Sequence, residues 1–163
     1  MPLPDKTCGM EDAVSRIFDG ATVMIGGFGV PGTPFCLIRE LVRQGTKNLT
    51  IVKNDANKPG MGVDWLLASG QVRKLVVSHI GLNANAVRMM NAREVEVEFV
   101  PQGLLAERIR AAGAGLLGVV SDIMIDTPAG AGRTQVEVAG KRGFLEPALA
   151  ADFALIHAER ADT

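Results

Sequence analysis

The chain has 163 residues, is 47% hydrophobic and 21% charged, and carries a net charge of −1. That suffices for one folded domain with a sizeable core, and the absence of a basic excess argues against a nucleic-acid partner. Six Phe, one Trp and no Tyr leave little material for aromatic stacking platforms.

The only cysteines, Cys8 and Cys36, form no CxxC or Cys/His cluster, so no metal site is expected. Met1–Met10 carries Pro, Asp and Lys in place of the apolar run of a signal peptide. No apolar stretch is long enough to predict a membrane span. A cytoplasmic protein with reduced thiols is the resulting expectation.

In chain order, Glu11–Phe18 reads as a short helix with Val14, Ile17 and Phe18 inward. Asp19-Gly20 is a turn, and Ala21–Ile25 is an apolar, β-branched run of the kind that forms a buried strand. Four glycines then fall within seven residues, Gly26, Gly27, Gly29 and Gly32. Thr33 suits a helix cap and Pro34 a first turn. The helix Phe35–Gln44 places Phe35, Ile38, Leu41 and Val42 on one face, and Gly45 is its expected C′ stop. A strand, a glycine loop and a helix N-terminus in that order let a ligand approach the main chain closely and offer it free N–H groups. A tight turn without a ligand is the alternative.

Downstream, Leu49–Lys53 reads as a second buried strand, ending at Asn54-Asp55. Val63–Ala68 is a helix stopped by Gly70, Arg73–Ser78 a third strand with His79 at its end, and Asn85–Ala92 a helix. Glu94–Phe99 alternates acidic and apolar residues, a half-exposed strand. Pro101-Gln102-Gly103 breaks it, and Leu104–Ala112 is an amphipathic helix. Leu116–Val120 and Ile123–Ile125 are two further apolar runs. Gln135–Val138 and Phe144-Leu145 are expected to form a hairpin about Gly140–Gly143, and Phe153–His157 a final strand. Strands alternating with helices predict an α/β fold with an open, mostly parallel sheet, flanking helices and a β-rich C-terminal extension, as a single domain over 1–163. In such a sheet ligands bind at the carboxyl ends of strands. Four loops are expected there: Gly26–Thr33, Asn54–Asn57, His79–Asn83 and Pro101–Gly103.

The string Asp19–Pro34, DGATVMIGGFGVPGTP, resembles the signature of the A (alpha) subunit of family I coenzyme A transferases. The resemblance continues through Asn54-Asp55, Ser78–Asn83 (SHIGLN), Val100–Arg110 (VPQGLLAERIR), Gly113–Gly115, Gly143–Glu146 and Ala151–Ile156. The Ser-His-Ile-Gly form is similar to the short-chain acetate/acetoacetate (3-oxoacid) branch. The resemblance implies the NagB-RpiA-like architecture of that family and exchange of CoA between a short-chain acyl-CoA and a carboxylic acid. It implies a glutamyl-CoA thioester on a glutamate of the B (beta) subunit, and an A2B2 assembly. CoA or acyl-CoA is then a substrate, with no tightly bound cofactor. Gln102 aligns with the oxyanion donor. Gly26, Gly27, Phe28, Gly29, Val30, Pro31 and Gly32 align with the CoA segment, with Asn54, Gly81 and Asn83 behind them.

Structural roles compete for several of these positions. Phe28 is equally a packing plug, His79 a hydrogen-bonded imidazole, and Cys36 a small buried residue. Glu94, Glu96 and Glu98 read as a solvated face, Glu107 and Glu146 as structural carboxylates. A rival function also fits: Gly27-x-Gly29-x-x-Gly32 after a strand, with Asp55 at the end of the second, matches a dinucleotide-binding (NAD) fingerprint. Against it, Pro31 and Pro34 crowd the turn where a pyrophosphate needs N–H groups. A non-catalytic subunit that kept the fold is a third reading. Two departures from the family stand out. Its Thr-Pro-Thr-Gly-x-Gly-Thr segment is altered at Asp126–Thr134 after extra residues at Ser121–Ile125. The family also continues beyond the last strand, so that strand is expected to leave apolar surface uncovered.

Overall fold

A computed structural model describes residues 5–161. The elements run α1 (Met10–Val14), β1 (Thr22–Ile25), α2 (Phe35–Gln44), β2 (Leu49–Val52), α3 (Val63–Ala68), β3 (Val72–Val77), α4 (Ala84–Asn91), β4 (Glu96–Phe99), α5 (Gln102–Gly113), β5 (Gly118–Ser121), β6 (Gln135–Val138), β7 (Lys141–Pro147) and β8 (Phe153–Leu155). Where one domain is expected over 1–163, the described residues divide into two compact units, 5–99 with 151–161, and Val100–Ala150.

The first unit is the α/β body. Its five strands lie in the order β4-β3-β2-β1-β8, every neighbouring pair parallel. Residues Phe153, Val23, Ile51, Leu75 and Val97 stand opposite one another and form an apolar row across the sheet. Val23, Ile51 and Leu75 are fully buried with Ile38, Leu41, Leu66 and Leu67 from the helices. Because β1 to β4 advance in one direction, right-handed crossovers put α2, α3 and α4 in a row of neighbours on one face. The outer edge, β4, is fastened by Lys74, whose ammonium lies 2.9 Å from both Glu96 and Glu98. Those carboxylates are the expected polar face, and Lys74 on the neighbouring strand holds it.

At the other edge, β8 enters beside β1. Asp152 sets this return: its carboxylate accepts from Thr22 N at 2.8 Å, and its own N–H donates to Thr22 O at 3.0 Å. Ile156 beyond β8 is 68% exposed. Phe18 packs edge-to-face on Phe153, with ring centroids 5.7 Å apart.

The second unit carries α5 and a three-stranded antiparallel sheet in the order β5-β7-β6. The hairpin turns at Ala139-Gly140, both at positive φ (50° and 73°), so β6 and β7 join by a two-residue loop and β7 begins at Lys141, earlier than expected. Glu146, fully inside this unit, pairs with Arg133. Three other expectations change. α1 is shorter than Glu11–Phe18, because the Ser15 hydroxyl donates to Asp12 O and the chain leaves the helix there. Ile123–Ile125 is a turn, since Met124 and Asp126 both take positive φ, which a pleated strand cannot accommodate. Cys36 is exposed, because Ile38 and Leu41 define the buried face of α2 and Cys36 lies off it.

Candidate functional site

Three of the four expected loops meet at the carboxyl ends of β1, β2 and β3 within the first unit. Gly26 carries the β1 ladder one step further, donating to Leu155 O at 2.9 Å. The chain then folds back on itself. At Gly27 (φ +88°) a Cβ would lie 2.5 Å from Thr33 N and 2.6 Å from Gly32 C. Phe28 N donates to Pro31 O at 3.0 Å and Thr33 N to Val30 O at 3.2 Å, closing the turn. Thr33 does not cap α2. Its buried hydroxyl donates to Gly29 O at 2.7 Å, and Pro34 stands at the N-cap with no side-chain cap bond. The N–H groups of Gly27, Val30 and Gly32 make no hydrogen bond among the described residues. Phe28, at 65% exposure, packs into no core and is not a plug.

The second loop is a buried polar cluster beneath the first. Asn54 Oδ1 accepts from Gly29 N at 3.1 Å and from Lys53 Nζ at 2.9 Å. Lys53 Nζ also reaches Gly29 O at 3.1 Å and Asp55 Oδ1 at 3.0 Å. Burial pushes the Lys53 ammonium below its usual range, and the Asp55 carboxylate opposes that shift. Asn57 Nδ2 donates to Gly29 O at 2.7 Å, while its Oδ1 accepts from Val63 N at 3.1 Å. Gly62 is the neighbour that makes room, since a Cβ there would collide with the Asn57 carboxamide. Asn54 Nδ2 is buried with no protein acceptor. Since Asn54 Oδ1 already takes two donors, exchanging the amide's O and N would not relieve it. Lys53, Asn57 and the inward role of Thr33 were not among the expected site residues. The signal available was Lys53 itself, a charge at the end of an otherwise apolar buried run.

The third loop adjoins the second through a parallel bridge between Asp55 and His79. Ser78 gives its single hydroxyl proton to Asn54 O at 2.6 Å. The 3.1 Å contact between Ser78 Oγ and His79 Nδ1 is therefore a bond from Nδ1–H of an exposed ring. Gly81 is exposed, with nothing within 4 Å of the point where a side chain would begin. Asn83 is fully buried. Its Oδ1 accepts from Ala86 N at 2.9 Å as the cap of α4, and its Nδ2 donates to Ala56 O at 3.0 Å and Asp64 Oδ1 at 3.1 Å. Both amide protons of Asn83 and its carbonyl oxygen are engaged internally, so it supports the third loop. Asp55 is likewise buried and bound to Lys53, which removes the acid that a dinucleotide ribose would need.

The fourth loop belongs to the second unit. Pro101 stands at the N-cap of α5 and Gln102 is its first residue, not part of a break before it. The Gln102 side chain is exposed, and its carboxamide makes no hydrogen bond among the described residues. No helix of the described residues is long and apolar enough to cross a membrane.

Residues 8–163 match the family model described as "Coenzyme A transferase". The "Probable coenzyme A transferase subunit alpha" of Bacillus subtilis (strain 168) is 44% identical over 158 residues, covering 96% of this chain and 69% of the relative. The "Acetate CoA-transferase subunit alpha" of Escherichia coli (strain K12) is 40% identical over 158 residues, covering 97% of this chain and 72% of the relative. Among solved structures, a variant of the decarboxylase AibA/AibB superposes with a TM-score of 0.80 at 27% identity. That alignment covers 93% of this chain and 61% of the other.

Proposed function

This chain belongs to the coenzyme A transferase family, and we propose that it is the alpha subunit of an enzyme moving CoA between a short-chain acyl-CoA and a carboxylic acid or 3-oxoacid. The observation that carries the reading is the glycine loop at the strand ends. It presents N–H groups on Gly27, Val30 and Gly32 with no acceptor of their own. Such donors suit the thioester and amide oxygens of an acylated pantetheine arm. Gly26, Phe28, Gly29 and Pro31 complete that segment as framework and apolar contact.

In the proposed reaction a glutamate carboxylate of a beta subunit attacks the thioester carbonyl. The C–S bond breaks, CoA leaves as thiolate, and an acyl-glutamyl anhydride remains. The thiolate then attacks the glutamyl carbonyl, releasing the first acid and leaving a glutamyl-CoA thioester, and a second acid reverses the path. Gln102, with a free and exposed carboxamide, is the proposed donor to the tetrahedral oxyanion. Asn54 Nδ2, buried without a partner, suits a substrate oxygen. Gly81 lines the approach with nothing to obstruct it. We assign Asn83 to support of the third loop. An A2B2 assembly, a cytoplasmic setting and CoA as a substrate, not a resident cofactor, belong to the same proposal.

The test combines this chain with its cognate beta subunit, acetyl-CoA and a panel of acceptor acids. CoA transfer is expected only when both chains are present, and thermal stabilisation of this chain by CoA or acetyl-CoA and not by NAD. Absence of transfer with both chains present, together with absence of stabilisation by CoA species, overturns the reading.

A further inference from the structure

Lys53 belongs to none of the motifs that carry the family resemblance, yet it holds the most constrained position under the glycine loop. Its side chain is 0% exposed. An ammonium has three donors and no acceptor. Here each donor has its own oxygen: Gly29 O, Asn54 Oδ1 and Asp55 Oδ1, at 3.1, 2.9 and 3.0 Å. That set fits the charged amine, because a neutral one would turn its lone pair on an oxygen. Two of the three contacts lead to one residue, Gly29. Lys53 meets Gly29 O directly, and it meets the Gly29 N–H through Asn54 Oδ1, which accepts both.

Packing does not call for this anchorage. Nothing lies within 4 Å of the point where a Gly29 side chain would begin, and Phe28 and Val30 beside it are exposed. Burying a charge is costly unless it is paired and bonded, and an apolar residue fills space at less cost. What the ammonium supplies that an apolar residue cannot is the orientation of the two peptide groups that flank the Gly29 Cα.

We infer that Lys53 is a positioning residue for the acyl-CoA loop: it holds Gly29 by its carbonyl directly and by its N–H through Asn54, fixing the two peptide groups that flank the Gly29 Cα and keeping the loop in the conformation that leaves the Gly27, Val30 and Gly32 N–H groups unpartnered. The clamp on the loop stands on these contacts, while its service to acyl-CoA rests on the function proposed above. Lys53 touches no substrate in this scheme.

The test compares the parent chain with Lys53→Met and with Lys53→Met/Asp55→Asn. The single variant strands a buried carboxylate, so its stability falls for that reason alone. The double variant removes both charges and is expected to melt within a few degrees of the parent. In it, amide exchange at Phe28, Gly29 and Thr33, whose N–H groups are hydrogen-bonded in the loop, is expected to rise about tenfold or more. With the beta subunit, most of its loss of transfer is expected in a KM for acetyl-CoA raised about tenfold, not in kcat. If neither variant folds, Lys53→Gln is read by the same criteria. Parent-like exchange at Phe28, Gly29 and Thr33 in a folded variant overturns the clamp and leaves the proposed function untouched. Faster exchange with parent-like KM overturns the service to acyl-CoA alone. A parent that neither binds acetyl-CoA nor transfers CoA overturns the proposed function, and the exchange data still decide the clamp.

Discussion

Gly27→Ala and Gly29→Ala form a matched pair that separates two reasons for a glycine in this loop. Both positions have positive φ, +88° and +61°, so alanine at either incurs a left-handed penalty of roughly 1–2 kcal/mol. Loss of unfolded-chain freedom offsets about 0.4–1 kcal/mol of that. At Gly29 nothing lies within 4 Å, so the net cost is at most about 1.5 kcal/mol. At Gly27 the new methyl meets three backbone atoms, Thr33 N, Gly32 C and Pro31 O, at 2.5, 2.6 and 2.7 Å. These are the two sides of one turn and cannot rotate away as a side chain would. Overpacking of this kind adds about 1–3 kcal/mol, for a total of roughly 2–4. At about 2–4 °C per kcal/mol for a chain near this size, Gly29→Ala should lower the melting temperature by no more than about 6 °C and Gly27→Ala by roughly 5–15 °C. The assay is thermal unfolding followed by circular dichroism, repeated with acetyl-CoA. Because Gly27→Ala opens the loop, it should also abolish stabilisation by acetyl-CoA. Equal melting temperatures for the two variants would refute the claim that the loop closes on the Gly27 backbone.

Gln102→Ala, on an exposed side chain with no internal bond, should leave the melting temperature unchanged and lower turnover with the beta subunit by about 10²–10³. Near-parent turnover in a steady-state exchange assay would remove Gln102 from the oxyanion role. Asn83→Ala takes away the cap of α4 and leaves Ala56 O and Asp64 short of a donor, a cost of about 2–4 kcal/mol visible in urea unfolding. A loss under about 1 kcal/mol would show that the third loop does not depend on it. Hydrogen bonds from Arg43 and then Gln44 hold Glu40 down at about 2 from its ordinary 4.5. A depressed carboxylate stabilises the fold above its unfolded-state value and loses that contribution as pH falls through the folded one. The parent should therefore lose stability between pH 4.5 and about 2, and Glu40→Gln should show a shallower loss in melts across that window. Parallel acid profiles would contradict the assignment.

The features legible in the residues alone were local. The β-branched runs that became β1, β2 and β3 carry their own period and so does the α2 face of Ile38 and Leu41, so these elements were readable within one or two residues. The glycine spacing at 26–32 marked a loop of unusual backbone because only close backbone approach or positive φ requires it, and the residues around it carried the family resemblance. Folding settled the rest. The return of β8 beside β1 depends on Asp152 and Thr22, 130 residues apart. That Ile123–Ile125 turns instead of pairing depends on the backbone angles its own loop imposes, which apolar composition does not encode. Lys53 read as a strand end and Thr33 as a cap, and the internal bonds of Asn83 were not foreseen, because each side chain's partner is set by packing. The groups on Gly29 are met by Lys53, Asn54 and Asn57, 24, 25 and 28 residues away. A periodic pattern reports which face of an element is apolar. Which polar atoms meet across loops, and which N–H groups stay unpartnered, is settled only when three strand ends are brought side by side.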